Sequence, residues 1–375
     1  MGRFITIEDA LEHNAAHADD RAAVAHDLTV RRGAVGADTR LGAQGGLLPR
    51  VFDLHCDTLD RLALSGDPVA PGGFYERDAN VPRERMSSLR DNDAHISLER
   101  TAEFDWCQCF AVFIPDELRG MDAWRFYERV RNWWKAELQR ESGSLSQVRS
   151  AVDLYLAFET GKTAGVLTIE GAAFLSDDET CETMLDQIAQ DGVRMCTLTW
   201  NGANALGSGN LTSEGLTGFG RSMVRELEAR EIIVDVSHLN DEGFKDVCKV
   251  AEKPFAASHS NARSICAHPR NLADWQLREI ADRGGVVGLN FCRDFLTDLR
   301  ADLSESDVLR HIDHVLEVAG ERVLALGSDY DGCDVPSWLD PCDRLRDLRA
   351  LITREFGEEV AELIMFENAR SFLLS

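Results

Sequence analysis

Short apolar runs recur along the chain, each followed by a polar loop and then a stretch with helical spacing. The runs are VFDLHCD (51–57), CFAVFIP (109–115), AGVLTIE (164–170), VRMCTLTW (193–200), IIVDVSH (232–238), PFAASH (254–259), GVVGLNF (285–291) and RVLALGSD (322–329). Between them lie amphipathic segments such as MDAWRFYERVRNWWKAELQRE, GRSMVRELEAREI, DEGFKDVCKVAE and SDVLRHIDHVLEVAGE. Near-continuous apolar strands alternating with helices predict a parallel sheet covered by helices. Eight such units predict an α/β fold, a (β/α)8 barrel of the TIM type spanning 51–375. Residues 1–50 lack this rhythm and read as an N-terminal extension, with a short helix around 7–18 and a small hairpin in AAVAHDLTVRRGAVG.

Composition narrows the partners. Net charge is −25, and only five of the 40 basic residues are Lys. Nucleic acid and anionic membrane both call for a basic surface, so neither is expected as a partner. No run of 18 apolar residues exists, and the N-terminal stretch has no apolar signal core, so a cytoplasmic location is expected. Ten Cys without a CxxC pair read as free thiols, with Cys107 and Cys109 buried in a strand.

The chemistry gathers at the ends of the runs. The first ends in His55 and Asp57, the third in Glu170, the fifth in His238, the sixth in His259 and the eighth in Asp329. In a barrel, the carboxyl ends of the strands converge on one face, where active sites are built. A lone His at a strand end is usually structural, and Asp329 in GSDYDG could shape a turn. Six such groups at the same end of five strands instead predict a metal centre, because cations offset the cost of gathering carboxylates and imidazoles. Three His and three carboxylates suit Zn²⁺ better than Ca²⁺ or Mg²⁺. They exceed the needs of one zinc and fit two metals roughly 3.5 Å apart sharing a carboxylate. No Lys ends any run, so Glu170 is the natural bridge. His13, His17, His311 and His314 read as ordinary helix positions, and His95 and His268 as loop residues that could meet substrate.

Seven motifs together resemble the membrane (renal-type) dipeptidases, zinc peptidases with an amidohydrolase-like barrel. They are D-x-H-x-D at 53–57, IEGA at 169–172, LTWN at 198–201, DVSH at 235–238, SHSNARSICAHPRN at 258–271, GSDYDG at 327–332 and ENARSFL at 367–373. The resemblance implies that His55 and Asp57 bind one zinc and His238 and His259 the other, with Glu170 bridging. It implies that Asp329 contacts a metal-bridging hydroxide and moves its proton, and that Arg270 grips the substrate's free carboxylate. Guanidinium–carboxylate pairing is physically apt for that role. One departure stands out. Many members carry a His where this chain has Trp200, and Asn201 or Asn204 is then the candidate to hydrogen-bond the substrate. The expected activity is that of a dizinc dipeptidase on L,L and L,D dipeptides. The alternatives are another metal amidohydrolase, acting on acylamino acids or lactones, and a barrel that keeps its metals without turnover. The expected partners are a small peptide and a second copy of the chain.

Overall fold

The computed structural model describes residues 48–67, 83–298 and 303–374. The expected extension lies outside them except for its last three residues. Nine parallel strands form the sheet: β1 (Arg50–Asp53), β2 (Asp105–Phe113), β3 (Leu145–Gln147), β4 (Thr163–Glu170), β5 (Val193–Thr197), β6 (Ile233–Asp235), β7 (Ala256–Ala257), β8 (Val286–Leu289) and β9 (Leu324–Leu326). Their order closes on itself, because β1 pairs with both β2 and β9, and β2 pairs with β4. Eight strands make the ring, and β3 lies outside it against the start of β4. This is the expected (β/α)8 barrel, and each ring strand overlaps one of the eight apolar runs, although β2 begins four residues before its run, at Asp105.

The helices cover the barrel with the faces their spacing predicts. Gly120–Arg140 buries Trp124, Tyr127, Val130 and Trp134, which lie three to four residues apart. Trp134 fits over β4 because residue 165 is Gly; a Cβ there would stand 2.6 Å from its ring. At the barrel's closed end the C-terminal helix widens into a π-turn over Leu363–Glu367. Asn368 then donates to the carbonyls of Glu321 and Leu324, both at 2.7 Å. The ENARSFL motif therefore anchors the last helix beneath β9, far from the strand ends that carry the candidate site.

Two details of the sequence reading change. The run 51–57 is not one strand. Regular pairing stops at Asp53, and Cys56 makes only an isolated bridge to Tyr330. His55 and Asp57 thus sit on the segment that turns out of β1 into the helix Thr58–Ala63. Asp53, the first residue of the D-x-H-x-D motif, lies deeper, buried against Gln108 and Ser328. The short strand β3 was not foreseen, since LSQ has neither length nor apolar character.

Candidate metal centre

The segments leaving β1, β6, β7 and β9 meet the end of β4 at one mouth. Glu170 is the last residue of β4, and its two oxygens face opposite ways. Oε2 lies 3.2 Å from His55 Nε2, and Oε1 lies 2.7 Å from His238 Nε2 and 3.8 Å from His259 Nε2. Asp57 Oδ1 is 3.7 Å from His55 Nε2. All of these side chains are buried. The His55 and His259 rings stack with centroids 3.8 Å apart. Potential donor atoms of His55, Glu170 and His259 lie within 4.8 Å of one another, as do those of His55, Asp57 and Asp329. The structure therefore brings together all six residues expected at the strand ends.

Backbone geometry at the mouth is unusual. His238 and Asp329 both adopt left-handed φ, +69° and +61°, which non-glycine residues rarely take and which clusters at functional sites. Asp329 Oδ2 accepts from Asn290 Nδ2 at 3.0 Å, and its amide donates to the His55 carbonyl at 3.2 Å. Gly332 makes the approach of the two acids sterically allowed. A Cβ on it would lie 2.1 Å from Asp57 Oδ2 and 2.2 Å from Asp329 Oδ1.

Hydrogen bonds behind the imidazoles fix which nitrogen faces inward. His238 Nδ1 donates to Asn201 Oδ1 at 2.9 Å, and His259 Nδ1 donates to Ser258 Oγ at 2.7 Å. Both rings thereby carry their proton outside and aim Nε2 lone pairs at the same space, 2.9 Å apart. Two lone pairs do not settle that close without a proton or a cation between them. His55 Nε2 and Asp57 Oδ1 are buried with no hydrogen-bond partner. Unpaired donor atoms of this kind, imidazole and carboxylate, fit a metal held among them.

Electrostatics of the metal-free cluster point the same way. Burial, reinforced by Asp57, pushes the Glu170 carboxyl up to about 8. Burial likewise raises Asp329. Burial, with the charges of Arg270 and His55 adding to it, holds His238 and His259 well below the ordinary histidine value, so both stay neutral. At His55 burial acts downward, but Glu170 and Asp57 outweigh it and raise the imidazole well above its usual range. His55 and Glu170 thus share a proton that a cation would replace.

The cluster opens into a cleft of about 510 Å³ walled by Phe113, Trp200, Leu211, His268, Arg270 and Phe295. Trp200 stands edge-on to Phe113, with centroids 4.9 Å apart, and 6.2 Å from the His238 ring. It forms a wall. Arg270 is buried beside Phe295, 5.4 Å from the ring centre. It donates to the His259 carbonyl at 3.2 Å, its Nε has no partner, and among the described residues no carboxylate pairs with it. Asn201 lines the cleft, yet its Oδ1 is taken by His238 and Asn210. Asn204 is removed from the candidates: its side chain bonds the Leu198 carbonyl and the amides of Leu206 and Gly207 within its own turn.

The remaining histidines divide. His268 lines the cleft and accepts the Arg270 amide on Nδ1 at 3.2 Å. His95 instead pairs with the backbone and carboxylate of Asp331, both at 2.8 Å, and braces the GSDYDG turn. His314 pairs with Asp274 at 2.8 Å. His311 is buried and bridges two loops, accepting from the Ala262 amide and donating to the Leu296 carbonyl. Asp235, Ser258 and Asn290 were not foreseen as site residues. Their only signal is that each is a polar residue inside an apolar run, and the structure places it at or just beyond the end of a strand.

The sequence pattern of the family described as membrane dipeptidase (peptidase family M19) matches residues 50–371. A Klebsiella pneumoniae protein of the pqqA 5′ region is 36% identical over 246 residues, covering 62% of this chain and 90% of that one. The crystal structure of dipeptidase AC, a metallopeptidase of family M19, superposes with a TM-score of 0.76 at 28% identity, over 87% of this chain and 98% of that one. A Rhodobacter sphaeroides metallopeptidase, crystallised with a phosphinate mimic of the dipeptide L-Ala-D-Ala, gives 0.76 at 26% identity, over 87% and 99%.

Proposed function

The chain belongs to the membrane dipeptidase family, peptidase family M19, and is a metallopeptidase; from that premise we propose that it cleaves dipeptides with a free C-terminal carboxylate, using two zinc ions. The observation that carries this reading is Arg270. A buried guanidinium without a carboxylate partner, opening on the same cleft as the acid–imidazole cluster, calls for an anionic group on the substrate. His55 and Asp57 would hold one zinc and His238 and His259 the other, with the two oxygens of Glu170 directed one to each. Bound there, the metals would lower the pKa of water and polarise the peptide carbonyl.

The chain's own residues supply the rest. Asp329, raised by burial and steadied by Asn290, accepts a proton during attack and returns it to the leaving amine. Arg270 grips the terminal carboxylate and so admits dipeptides over longer chains. Trp200 and Phe113 exclude water from one wall. The wall of Trp200 also supports a second reading, an amidohydrolase acting on acylamino acids or lactones. The L-Ala-D-Ala mimic bound by the Rhodobacter relative supports including L,D dipeptides among the substrates.

One assay separates these readings: turnover of L,L and L,D dipeptides, their C-terminal amides, acylamino acids and lactones. Free dipeptides should be cleaved best. Amidation should cost about 1.5–3 kcal/mol in kcat/KM, the worth of a charged hydrogen bond, and Arg270→Ala should lose about as much while becoming indifferent to amidation. Equal cleavage of free and amidated dipeptides would remove Arg270 from this role and favour the second reading.

A further inference from the structure

Two carboxylates stand one layer below the centre, at the ends of β1 and β6, and neither faces the cleft. Asp53 accepts from the Ser328 amide at 2.8 Å, the Ser328 hydroxyl at 2.6 Å and Gln108 Nε2 at 2.9 Å. That chain stops at backbone: the Ser328 hydroxyl accepts the Tyr330 amide at 3.1 Å and lies 3.1 Å from the His55 carbonyl, with no imidazole beyond it. Asp235 is built differently. Oδ1 accepts the amides of Ser237 and Ser258 at 2.9 and 3.0 Å. Oδ2 accepts the hydroxyls of Thr197 and Ser258 at 2.9 and 2.5 Å. The Ser258 hydroxyl then meets the imidazole itself, at His259 Nδ1.

Proton counting fixes the direction of this chain. A hydroxyl has one hydrogen, and Ser258 gives it to Asp235, so its oxygen can only accept from His259 Nδ1–H. The His259 proton is thereby held on Nδ1 and Nε2 is left bare toward the centre. We propose that Asp235 is a positioning residue that acts through the Ser258 hydroxyl on His259, fixing its tautomer and strengthening it as a donor, and that among the described residues only the His238–His259 half of the centre is supported in this way. Partners of this kind typically change metal affinity about 10–100-fold. The inference rests on the dinuclear reading above, and it makes the two halves unequal.

The metal-depleted full chain is titrated with Zn²⁺ against a chromophoric chelator, and with Co²⁺ while the visible spectrum is followed. Ser258→Ala should weaken one Zn²⁺ equivalent about 10–100-fold, leave the other within a few-fold, and shift the Co²⁺ bands of one equivalent. Asp235→Asn should be harsher. The two amides keep the carboxamide oxygen at the Oδ1 position, which puts the NH₂ at Oδ2. That NH₂ donates to Ser258, turns the hydroxyl hydrogen onto His259 Nδ1 and moves the ring proton to Nε2. Ser237→Ala is the graded control: its hydroxyl is as deeply buried, takes the His259 amide at 3.2 Å and stands 3.4 Å from the Ser258 hydroxyl, without touching the ring. It should weaken metal far less than Ser258→Ala does and leave the Co²⁺ bands close to those of wild type. The proposal is overturned if Ser258→Ala and Asp235→Asn keep both affinities and the Co²⁺ spectrum, or if Ser237→Ala weakens metal as much as they do. A wild type that takes up only one equivalent would sink the dinuclear reading instead; the relay is then judged by whether Ser258→Ala weakens that equivalent.

Discussion

Single residues at the mouth do two kinds of work: some carry donor atoms, and others make room for them. Gly332 is of the second kind. With 2.1 and 2.2 Å to the Asp57 and Asp329 oxygens, a Cβ at 332 must move one carboxylate or the turn that carries it. Asp329 has little slack, because it is fixed by Asn290 and by its own left-handed backbone. Gly332→Ala should therefore lower metal content and cut kcat at least about tenfold, the effect of misplacing a reacting group by a fraction of an ångström. The melting temperature should move little, since overpacking at one edge costs roughly 1–3 kcal/mol in a large domain. Wild-type turnover with full metal content in Gly332→Ala would show that the turn relaxes freely and that the close approach has no role.

Elements set which of these residues can meet. The helix Glu305–Ala319 touches the 258–272 segment through His311, whose ring accepts from Ala262 and donates to Leu296. Burial pushes this imidazole down to about 4, against an opposing pull from the Leu296 carbonyl. The sign follows from the depressed value. Between pH 6.5 and 4 the unfolded chain binds the proton and the folded one does not, so stability present above pH 6.5 is lost as pH falls toward 4. The full loss is about 3 kcal/mol. His311→Gln should be destabilised at neutral pH yet fall less on acidification, which paired denaturant titrations at pH 7 and 4.5 would measure. Parallel pH curves for the two proteins would refute the assignment. His311 also marks where the sequence stops being legible. Apolar periodicity located all eight ring strands, and the polar residues ending them located the six candidate ligands. Periodicity reports burial, not partnership. Nothing in DVSH and SHSN indicates that Asp235 and Ser258 bond across β6 and β7, because that contact arises only from strand register. The overextended first strand has a related cause: alternation continues through His55 and Asp57 in sequence, while the backbone has already left the sheet.

At the scale of the whole molecule, the barrel encloses more acid than base at its mouth, in a chain already carrying a net charge of −25. Asp53 and Asp235 are satisfied by hydrogen bonds that need no cation. Asp57 and His55 are not. The first pair lies beneath the centre and ties the strand ends together, so the barrel should stay folded when chelator removes metal. The second pair, with the proton shared by His55 and Glu170, makes the metal-free mouth a strained local region. Metal binds only the folded arrangement, so stability should grow by about 2.7 kcal/mol for each site once free metal is 100 times its Kd. The melting temperature should therefore rise with the logarithm of free Zn²⁺, while far-ultraviolet circular dichroism at 25 °C stays unchanged after chelation. Metal uptake must also expel the shared proton, so affinity should climb as pH is raised from 6 toward 8, with protons released to the buffer. A melting temperature indifferent to Zn²⁺ would mean that the cluster is a self-sufficient hydrogen-bonded network, whereas a barrel that unfolds outright on chelation would mean that Asp53 and Asp235 do not hold the strand ends by themselves.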